Sequence, residues 1–281
     1  MLVRHIKTIN TMKTKFLLLS LLVMFVLPLE AAVVDTIKVH SDAMNKDIQS
    51  VVVFPGKGKT TAPVIYLLHG YGGNAKSWLE FKPNLPEIAD LLGVAFVCPD
   101  GRNSWYWDSP VDPSSRYETF VSAELIAYID AHYPTVKDRS GRAITGLSMG
   151  GHGAMWLSMR HKDVFGAAGT TSGGVDIRPF PNNWDMSRLL GSESENREVW
   201  EEHTAINQID RLRNGDLALI IDCGYSDFFF EVNNEFHKKL LKYKIDHDFL
   251  VRPGVHNGEY WNNSIDYQIL FFKKFFDKKK K

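Results

Sequence analysis

One serine lies in a sequence context that is typical of a catalytic nucleophile. Ser148 is the centre of Gly146-Leu147-Ser148-Met149-Gly150, which follows a short apolar run and precedes a stretch with helical spacing. This pattern predicts a sharp strand-to-helix turn that lifts the hydroxyl clear of a sheet, with glycines where side chains would collide. The turn also places the Met149 amide at a helix N-terminus, where it can stabilise a developing oxyanion. The pattern therefore predicts acyl transfer through Ser148.

A serine hydroxyl needs a general base, and the base needs a carboxylate that holds its tautomer. With this turn, the expected chain order is serine, acid, histidine. Six histidines follow Ser148, and His256 is the one in a loop after the last predicted strand. Asp222 and Asp227 both lie near the end of the preceding strand. We favour Asp227, which lies past a glycine in a loop that can reach His256, and expect Asp222 to hydrogen-bond the local backbone.

A second oxyanion donor is expected from the glycine-rich segment 69–74, which reads His-Gly-Tyr-Gly-Gly-Asn and follows an apolar run. Glycine lets the backbone approach a substrate carbonyl closely, so we assign the Tyr71 amide as the partner of the Met149 amide and Gly70 as a substrate contact. A glycine-rich loop is also typical of phosphate binding. However, no Lys-Ser/Thr follows as in a P-loop, and the Rossmann spacing is absent.

Several aromatic residues are candidates for substrate binding. Trp105 and Tyr106 follow a predicted strand, and Trp184 and Trp261 occur later in the chain. Aromatic faces at the carboxyl end of a strand suit a sugar or a phenolic ring. Ordinary packing of the loop explains Trp105 and Tyr106 equally well, so both interpretations stay open.

The elements that must position these residues alternate along the chain. Apolar or β-branched runs predict strands at 51–54, 64–68, 94–97, 142–144, 165–168, 217–221 and 248–251, and amphipathic stretches predict helices at 118–132, 150–160, 231–243 and 260–276. This alternation predicts an α/β protein with a mostly parallel, twisted sheet, helices on both faces and function at the carboxyl ends of the strands. The first two runs have no helix between them, which suggests an antiparallel start.

No repeat or low-complexity linker divides residues 32–281, so we expect a single α/β domain there. Segment 173–204 differs in kind, since it is rich in Pro, Asn and charge and has little periodicity. A connection that long is usually functional or mobile. We expect it to form an insertion over the active edge of the sheet, with disorder as the alternative.

Residues 1–31 read as an upstream start followed by a signal peptide. A basic segment at 12–15 precedes an apolar run at 16–29, and Ala31 offers a small residue for cleavage. A transmembrane helix needs about twenty apolar residues, which is more than this run supplies. We expect export to the periplasm or the medium, without stable membrane insertion after cleavage. A membrane anchor or a buried N-terminal helix is the alternative.

Composition and charge narrow the class of protein. The 281 residues include 33 Lys+Arg and 33 Asp+Glu, and 44% are hydrophobic, which excludes an intrinsically disordered chain. Residues 1–31 hold four basic residues and one acidic residue, so the remainder has 29 basic and 32 acidic residues. That balance does not provide the basic face that nucleic-acid binding requires. Cys98 and Cys223 each end an apolar run, and they either pair or remain buried thiols.

Taken in order, the motifs resemble the esterase D family of α/β-hydrolases, which includes S-formylglutathione hydrolases, feruloyl and acetyl-xylan esterases, and mycolyltransferases. The matching segments are 69–74, 99–106, 146–154, 223–228 and 254–261. The resemblance implies Ser148, Asp227 and His256 as the triad, and the Tyr71 and Met149 amides as the oxyanion hole. No metal or organic cofactor is implied. One departure concerns the S-formylglutathione hydrolases, which look different in the oxyanion loop, where they carry a cysteine, and which are cytosolic. Here the loop is glycine-rich, and we expect export.

These observations predict an exported serine carboxylesterase that hydrolyses short-chain esters, above all acetyl esters, of carbohydrate or aromatic alcohols. The alternatives within the same chemistry are an acyltransferase to a sugar hydroxyl, a feruloyl esterase and a thioesterase similar to S-formylglutathione hydrolase. A carbohydrate-binding protein on the same fold is the non-enzymatic alternative. The expected partner is a small-molecule or carbohydrate ester, and nucleic acid is not expected.

Overall fold

A computed structural model describes residues 31–56 and 61–278. Its strands are β1 Val33–Ser41, β2 Lys46–Phe54, β3 Val64–Leu68, β4 Ala95–Pro99, β5 Arg142–Gly146, β6 Ala167–Thr171, β7 Ala218–Gly224 and β8 Asp248–Arg252. They form an eight-stranded sheet in the order β1-β2-β4-β3-β5-β6-β7-β8. From β4 to β8 every neighbouring pair is parallel, whereas β2 is antiparallel to both β1 and β4. The carboxyl ends of the parallel strands therefore meet at one edge, which is where a site is expected.

The α-helices are α1 Ser77–Phe81, α2 Leu85–Leu92, α3 Tyr117–Thr119, α4 Leu125–His132, α5 Met149–Arg160, α6 Met186–Leu190, α7 Arg197–Glu202, α8 Phe230–Lys242 and α9 Gly258–Lys278. A π-helical turn, Phe120–Glu124, joins α3 to α4. The predicted helix at 118–132 is therefore wider than an α-helix over one turn. No helix within residues 31–56 and 61–278 combines the length and the apolar character that crossing a membrane requires.

Helices cover both faces of the sheet. All five residues of β3 are buried, which is why its sequence is continuously apolar. Ile65 and Leu67 belong to the hydrophobic cluster that α1, α2 and α9 cover. Tyr66 and Leu68 belong to the opposite cluster, which α4, α5 and α8 cover. This arrangement confirms the predicted α/β class and its two helical layers.

The antiparallel start of the sheet is confirmed, but its pairing differs from the prediction. The first two apolar runs, which are β2 and β3, are not neighbours, because β4 lies between them. β1, which was not predicted, pairs with the whole length of β2. β1 is an edge strand in which most residues are exposed or half-buried, so polar side chains interrupt its apolar pattern.

Segment 173–204 contains two short helices, α6 and α7, and packs onto the body of the protein. Leu189 and Trp200 are fully buried in the larger hydrophobic cluster. The Trp200 indole N–H donates to the Gly191 carbonyl at 3.0 Å. The two helices have only five and six residues, which explains the low periodicity of the segment's sequence.

The two cysteines are free buried thiols, so the possibility of a disulfide is wrong. Cys98 lies on β4 and Cys223 on β7, and β3, β5 and β6 separate these two strands in the sheet. Burial raises the pKa of both thiols well above the ordinary value, which keeps them protonated.

Candidate active site

Ser148 lies in a strained turn between β5 and α5. Its φ of 55° and ψ of −118° are a combination that residues with a side chain rarely adopt. A Cβ on Gly146 would lie 2.4 Å from the backbone of Gly150, and a Cβ on Gly150 would lie 2.2 Å from the Leu68 carbonyl oxygen. These close backbone contacts leave no room for a side chain at Gly146 or Gly150, as the Gly-x-Ser-x-Gly pattern predicts.

The structure brings Ser148, His256 and Asp227 together from three separate loops. His256 Nε2 lies 3.0 Å from Ser148 Oγ, and His256 Nδ1 lies 2.9 Å from Asp227 Oδ2. The Asp227 side chain is completely buried, and its Oδ1 also accepts the Phe229 amide at 2.8 Å. Since a carboxylate can only accept, Nδ1 carries the imidazole proton and Nε2 is left to accept the serine proton.

Asp222, the other candidate acid, is bound elsewhere. Its carboxylate accepts hydrogen bonds from the Tyr260 hydroxyl and the Arg252 guanidinium. Burial raises the pKa of Asp222, and the contacts with Tyr260 and Arg252 oppose that shift. The expectation that Asp222 bonds local backbone is therefore wrong, because its partners are side chains from β8 and α9. These partners flank the loop that carries His256.

His69 holds the predicted oxyanion loop, a role that the sequence analysis did not assign. The Gly101 amide donates to His69 Nε2 at 2.8 Å, so Nδ1 carries the proton and donates to the Gly70 carbonyl at 2.7 Å. The Gly73 amide donates to the same carbonyl at 3.0 Å. A trans peptide points its C=O and N–H in opposite directions, so these bonds direct the Tyr71 N–H away from the loop. The sequence feature that could have predicted this role is the position of His69, directly after a buried strand and directly before the glycines.

The Tyr71 and Met149 amides have no acceptor within the described part of the chain. Unpaired amides at a helix start and in a tight loop can bind an anion. The geometry thus leaves two donors for a ligand oxygen.

Ser148 and His256 open into a pocket of about 400 Å³ with aromatic walls. Four of the predicted residues that line it are Gly70, Tyr71, Trp184 and Trp261. Phe81 on α1 and Phe228, which follows Asp227, also line the pocket and were not predicted from the sequence. The Phe228 ring stacks on Trp184 with ring centroids 6.0 Å apart and lies 4.3 Å from the His256 ring.

Trp105 and Tyr106 do not line this pocket, so their assignment as substrate contacts is corrected. Both side chains are buried under the loop. The Tyr106 ring lies against Gly153 of α5, and its hydroxyl donates to the His69 carbonyl at 3.1 Å. Trp105 Nε1 lies 3.4 Å from the Trp184 carbonyl oxygen. These aromatic residues fill the space beneath the site and support residues that do reach it.

The 173–204 segment reaches the site at Trp184 and Asp185. Both residues have positive φ angles of 52°, which is unusual for residues with side chains. The Tyr71 hydroxyl donates to the Asp185 carboxylate, and this hydrogen bond raises the pKa of Tyr71. A hydrogen bond at the pocket therefore links segment 69–74 to segment 173–204.

The protein is similar in sequence to known esterases and acyltransferases. The Esterase family model matches residues 41–272. An acetyl esterase from Caldicellulosiruptor saccharolyticus is 26% identical over 219 residues, which are 72% of this chain and 79% of that protein. The diacylglycerol acyltransferase/mycolyltransferase Ag85B from Mycobacterium leprae is 28% identical over 211 residues, which are 68% of this chain and 63% of that protein.

Among solved structures, a ferulic acid esterase superposes with a TM-score of 0.76 at 28% identity, covering 88% of this chain and 99% of that one. The fold, the family match over residues 41–272 and the relatives agree. The chain therefore belongs to the Esterase family, and it is an α/β-hydrolase enzyme that acts on carboxylic esters.

Proposed function

We propose that the chain is an exported serine carboxylesterase that hydrolyses short-chain esters, above all acetyl esters, of carbohydrate or aromatic alcohols through an acyl-enzyme. The observation that carries this proposal is the hydrogen-bonded series Ser148, His256 and Asp227 at a strained turn. A nucleophile, a base within reach and a buried carboxylate that orients the base are the requirements for serine acyl transfer.

The geometry supports the following sequence of steps. His256 Nε2 accepts the Ser148 proton while Ser148 Oγ attacks the ester carbonyl carbon. The Tyr71 and Met149 amides donate to the oxyanion, and His256 then returns the proton to the leaving alcohol. Water, activated by the same imidazole, releases the acid from Ser148. Loss of one oxyanion donor costs on the order of 10²–10³ in turnover.

The pocket supports the substrate class. A volume of about 400 Å³ suits a small acyl group together with one ring of the alcohol. The Trp184 and Trp261 rings offer apolar faces that suit a sugar or phenolic ring. Two relatives are named for such substrates, one an acetyl esterase and the other a ferulic acid esterase.

A fluorophosphonate probe and a substrate series test the proposal. We expect one covalent adduct per chain on the native enzyme and none on Ser148→Ala. We also expect kcat/KM to fall as the acyl chain of para-nitrophenyl esters lengthens, with methyl ferulate and S-formylglutathione as separate arms. Equal labelling of Ser148→Ala would contradict the assigned nucleophile and restore the carbohydrate-binding alternative. A preference for long acyl chains would overturn the substrate class.

Acyl transfer to a sugar hydroxyl is a second candidate function, since the relative from Mycobacterium leprae is named as an acyltransferase. Hydrolysis and transfer use the same acyl-enzyme, and they differ only in the acceptor. Product analysis with an added sugar separates them. A rising yield of acylated sugar at the expense of free acid would support transfer, whereas free acid alone supports hydrolysis.

Export rests on the sequence pattern at 1–31, of which residues 1–30 lie outside the described residues. N-terminal sequencing of the protein recovered from the periplasm or medium tests it. We expect a mature chain that begins near residue 32. An intact N-terminus on protein recovered from the cytoplasm would contradict export.

A further inference from the structure

A second, smaller cavity of about 180 Å³ lies beside the pocket and is lined by side chains with a cationic excess. Its charged residues are Lys46 on β2, Arg102 after β4, Arg188 on α6 and a single carboxylate, Asp112. The steps proposed above do not use this cavity. Its position and its hydrogen bonding decide what it could hold.

The cavity adjoins the pocket through two direct contacts. Asn103, which lines the cavity, accepts the Gly72 amide of the oxyanion loop at 2.8 Å through its side-chain oxygen. On the other side, the Arg188 amide donates to the carbonyl of Asp185, whose carboxylate binds the Tyr71 hydroxyl. The cavity is therefore adjacent to the pocket, across the Tyr71–Asp185 hydrogen bond.

The local carboxylates do not satisfy all the cations. Asp112 binds Arg188 at 3.2 Å, and Asp100, behind the cavity, lies 3.3 Å from Arg102 Nε. Lys46 forms no ion pair among the described residues. Its ammonium donates to the Ser114 carbonyl at 2.8 Å and lies 5.2 Å from the centre of the Tyr117 ring.

The charges around Lys46 also favour an anion. Burial and the nearby Arg102 charge lower the pKa of Lys46, and the charges of Asp112 and Asp100 only partly oppose that shift.

We infer that this cavity is a subsite for an anionic group, a carboxylate or a phosphate, on the alcohol part of the substrate. The inference rests on the proposed esterase function and narrows its substrate to acidic sugars or other acidic alcohols. The free donors of the Lys46 ammonium and the Arg188 guanidinium provide the recognition, and the adjacent pocket binds the ester itself. The Arg102 side chain is 76% exposed, so it contributes at the rim.

Matched substrates test the subsite. We compare kcat/KM for acetylated glucose, acetylated glucuronic acid and an acetylated hexose phosphate, each acetylated at the same hydroxyl. The native enzyme should favour one of the acidic substrates over the neutral one by about tenfold, the effect of one charge-assisted hydrogen bond. The preferred anion distinguishes a carboxylate site from a phosphate site. The preference should weaken with added salt.

Variants locate the effect. Lys46→Gln and Arg188→Gln should each reduce the ratio of acidic to neutral kcat/KM towards one, whereas the exposed Lys137→Gln on the opposite edge should retain the native ratio. If para-nitrophenyl acetate is cleaved but the native ratio is near one, or if Lys46→Gln leaves the ratio intact, the subsite is overturned. If no ester is cleaved, the proposed function fails instead. Calorimetric binding of glucuronate and of inorganic phosphate to Ser148→Ala then reports on the subsite independently.

Discussion

His69 donates through Nδ1 to the Gly70 carbonyl at 2.7 Å, and this contact orients the peptide whose N–H we propose as an oxyanion donor. The imidazole is buried and receives the Gly101 amide on its other nitrogen, so both its position and its tautomer are fixed. We therefore propose that His69 is a positioning residue that acts through the Tyr71 amide. It does not itself line the pocket.

We expect replacements of His69 to lower kcat more than they raise KM, because the oxyanion forms only after the substrate has bound. The side-chain amide of Asn can occupy the place of Nδ1 and donate to Gly70, whereas that of Gln extends towards the place of Nε2. His69→Gln should therefore lose about 10–100-fold in kcat, part of the cost of a lost oxyanion donor. His69→Asn should recover most of it. Steady-state kinetics with para-nitrophenyl acetate measure both, and equal losses in the two variants would argue for a purely structural role.

Asp227 and Asp222 offer a matched pair of buried carboxylates with different partners. Asp227→Asn preserves shape but favours the wrong His256 tautomer, so kcat should fall by about 10⁴ with little change in stability. Asp222→Asn leaves the half-buried Arg252 guanidinium and the Tyr260 hydroxyl with a weaker, neutral acceptor, which should cost about 1–3 kcal/mol in the free energy of unfolding. Kinetics together with urea unfolding separate the two effects. A larger kcat loss for Asp222→Asn than for Asp227→Asn would reverse the assignment.

The fold was predictable where short-range pattern determines it. β3 begins and ends where its apolar run does, because both faces are covered and every residue must be apolar. The turn at Ser148 was predictable for a similar reason, since close backbone contacts at Gly146 and Gly150 exclude any side chain. Chain order and position in loops after predicted strands then favoured Asp227 and His256, which the structure places in one hydrogen-bonded series with Ser148.

Contacts between distant segments were not predictable from single residues. Tyr71 and Asp185 are 114 positions apart, and no local sequence pattern predicts the hydrogen bond between their side chains. The position of the Trp105 side chain was also not predictable. An aromatic residue after a strand can line a pocket or pack in the protein interior, and its sequence context is the same in both cases. The Trp105 side chain is buried, and that outcome depends on the 173–204 segment that packs over it.

Trp184 should govern the response to aromatic substrates. It lines the pocket and stacks on Phe228, so Trp184→Ala removes one apolar wall. An aromatic contact contributes about 0.5–1.5 kcal/mol beyond burial, so we expect KM for methyl ferulate to rise about 2–10-fold more than KM for ethyl acetate. Trp184→Phe retains a ring and should stay close to native. Equal changes in both KM values would show that Trp184 shapes the loop and does not contact the ring.

The buried His152 on α5 predicts how stability depends on pH. Burial lowers the pKa of His152 to about 3. A hydrogen bond between Nε2 and the His203 carbonyl, 3.0 Å long, opposes this shift in part. In the unfolded chain a histidine titrates near pH ~6.5. Between these two values the unfolded state binds the extra proton and the folded state does not, so stability is lost as pH falls through the window. Burial also lowers the pKa of His203, which adds to the same trend.

Urea unfolding between pH 7 and pH 4.5 tests this dependence. Each such histidine should contribute a loss of about 1.4 kcal/mol per pH unit once the pH is below the unfolded value. His152→Phe removes one of these protons and keeps an aromatic ring against Trp105 and Trp156, so it should reduce the slope by that amount even if its stability at pH 7 is lower. The slope is the decisive quantity, because a packing defect shifts stability equally at every pH. An unchanged slope in His152→Phe would mean that His152 takes up its proton without unfolding.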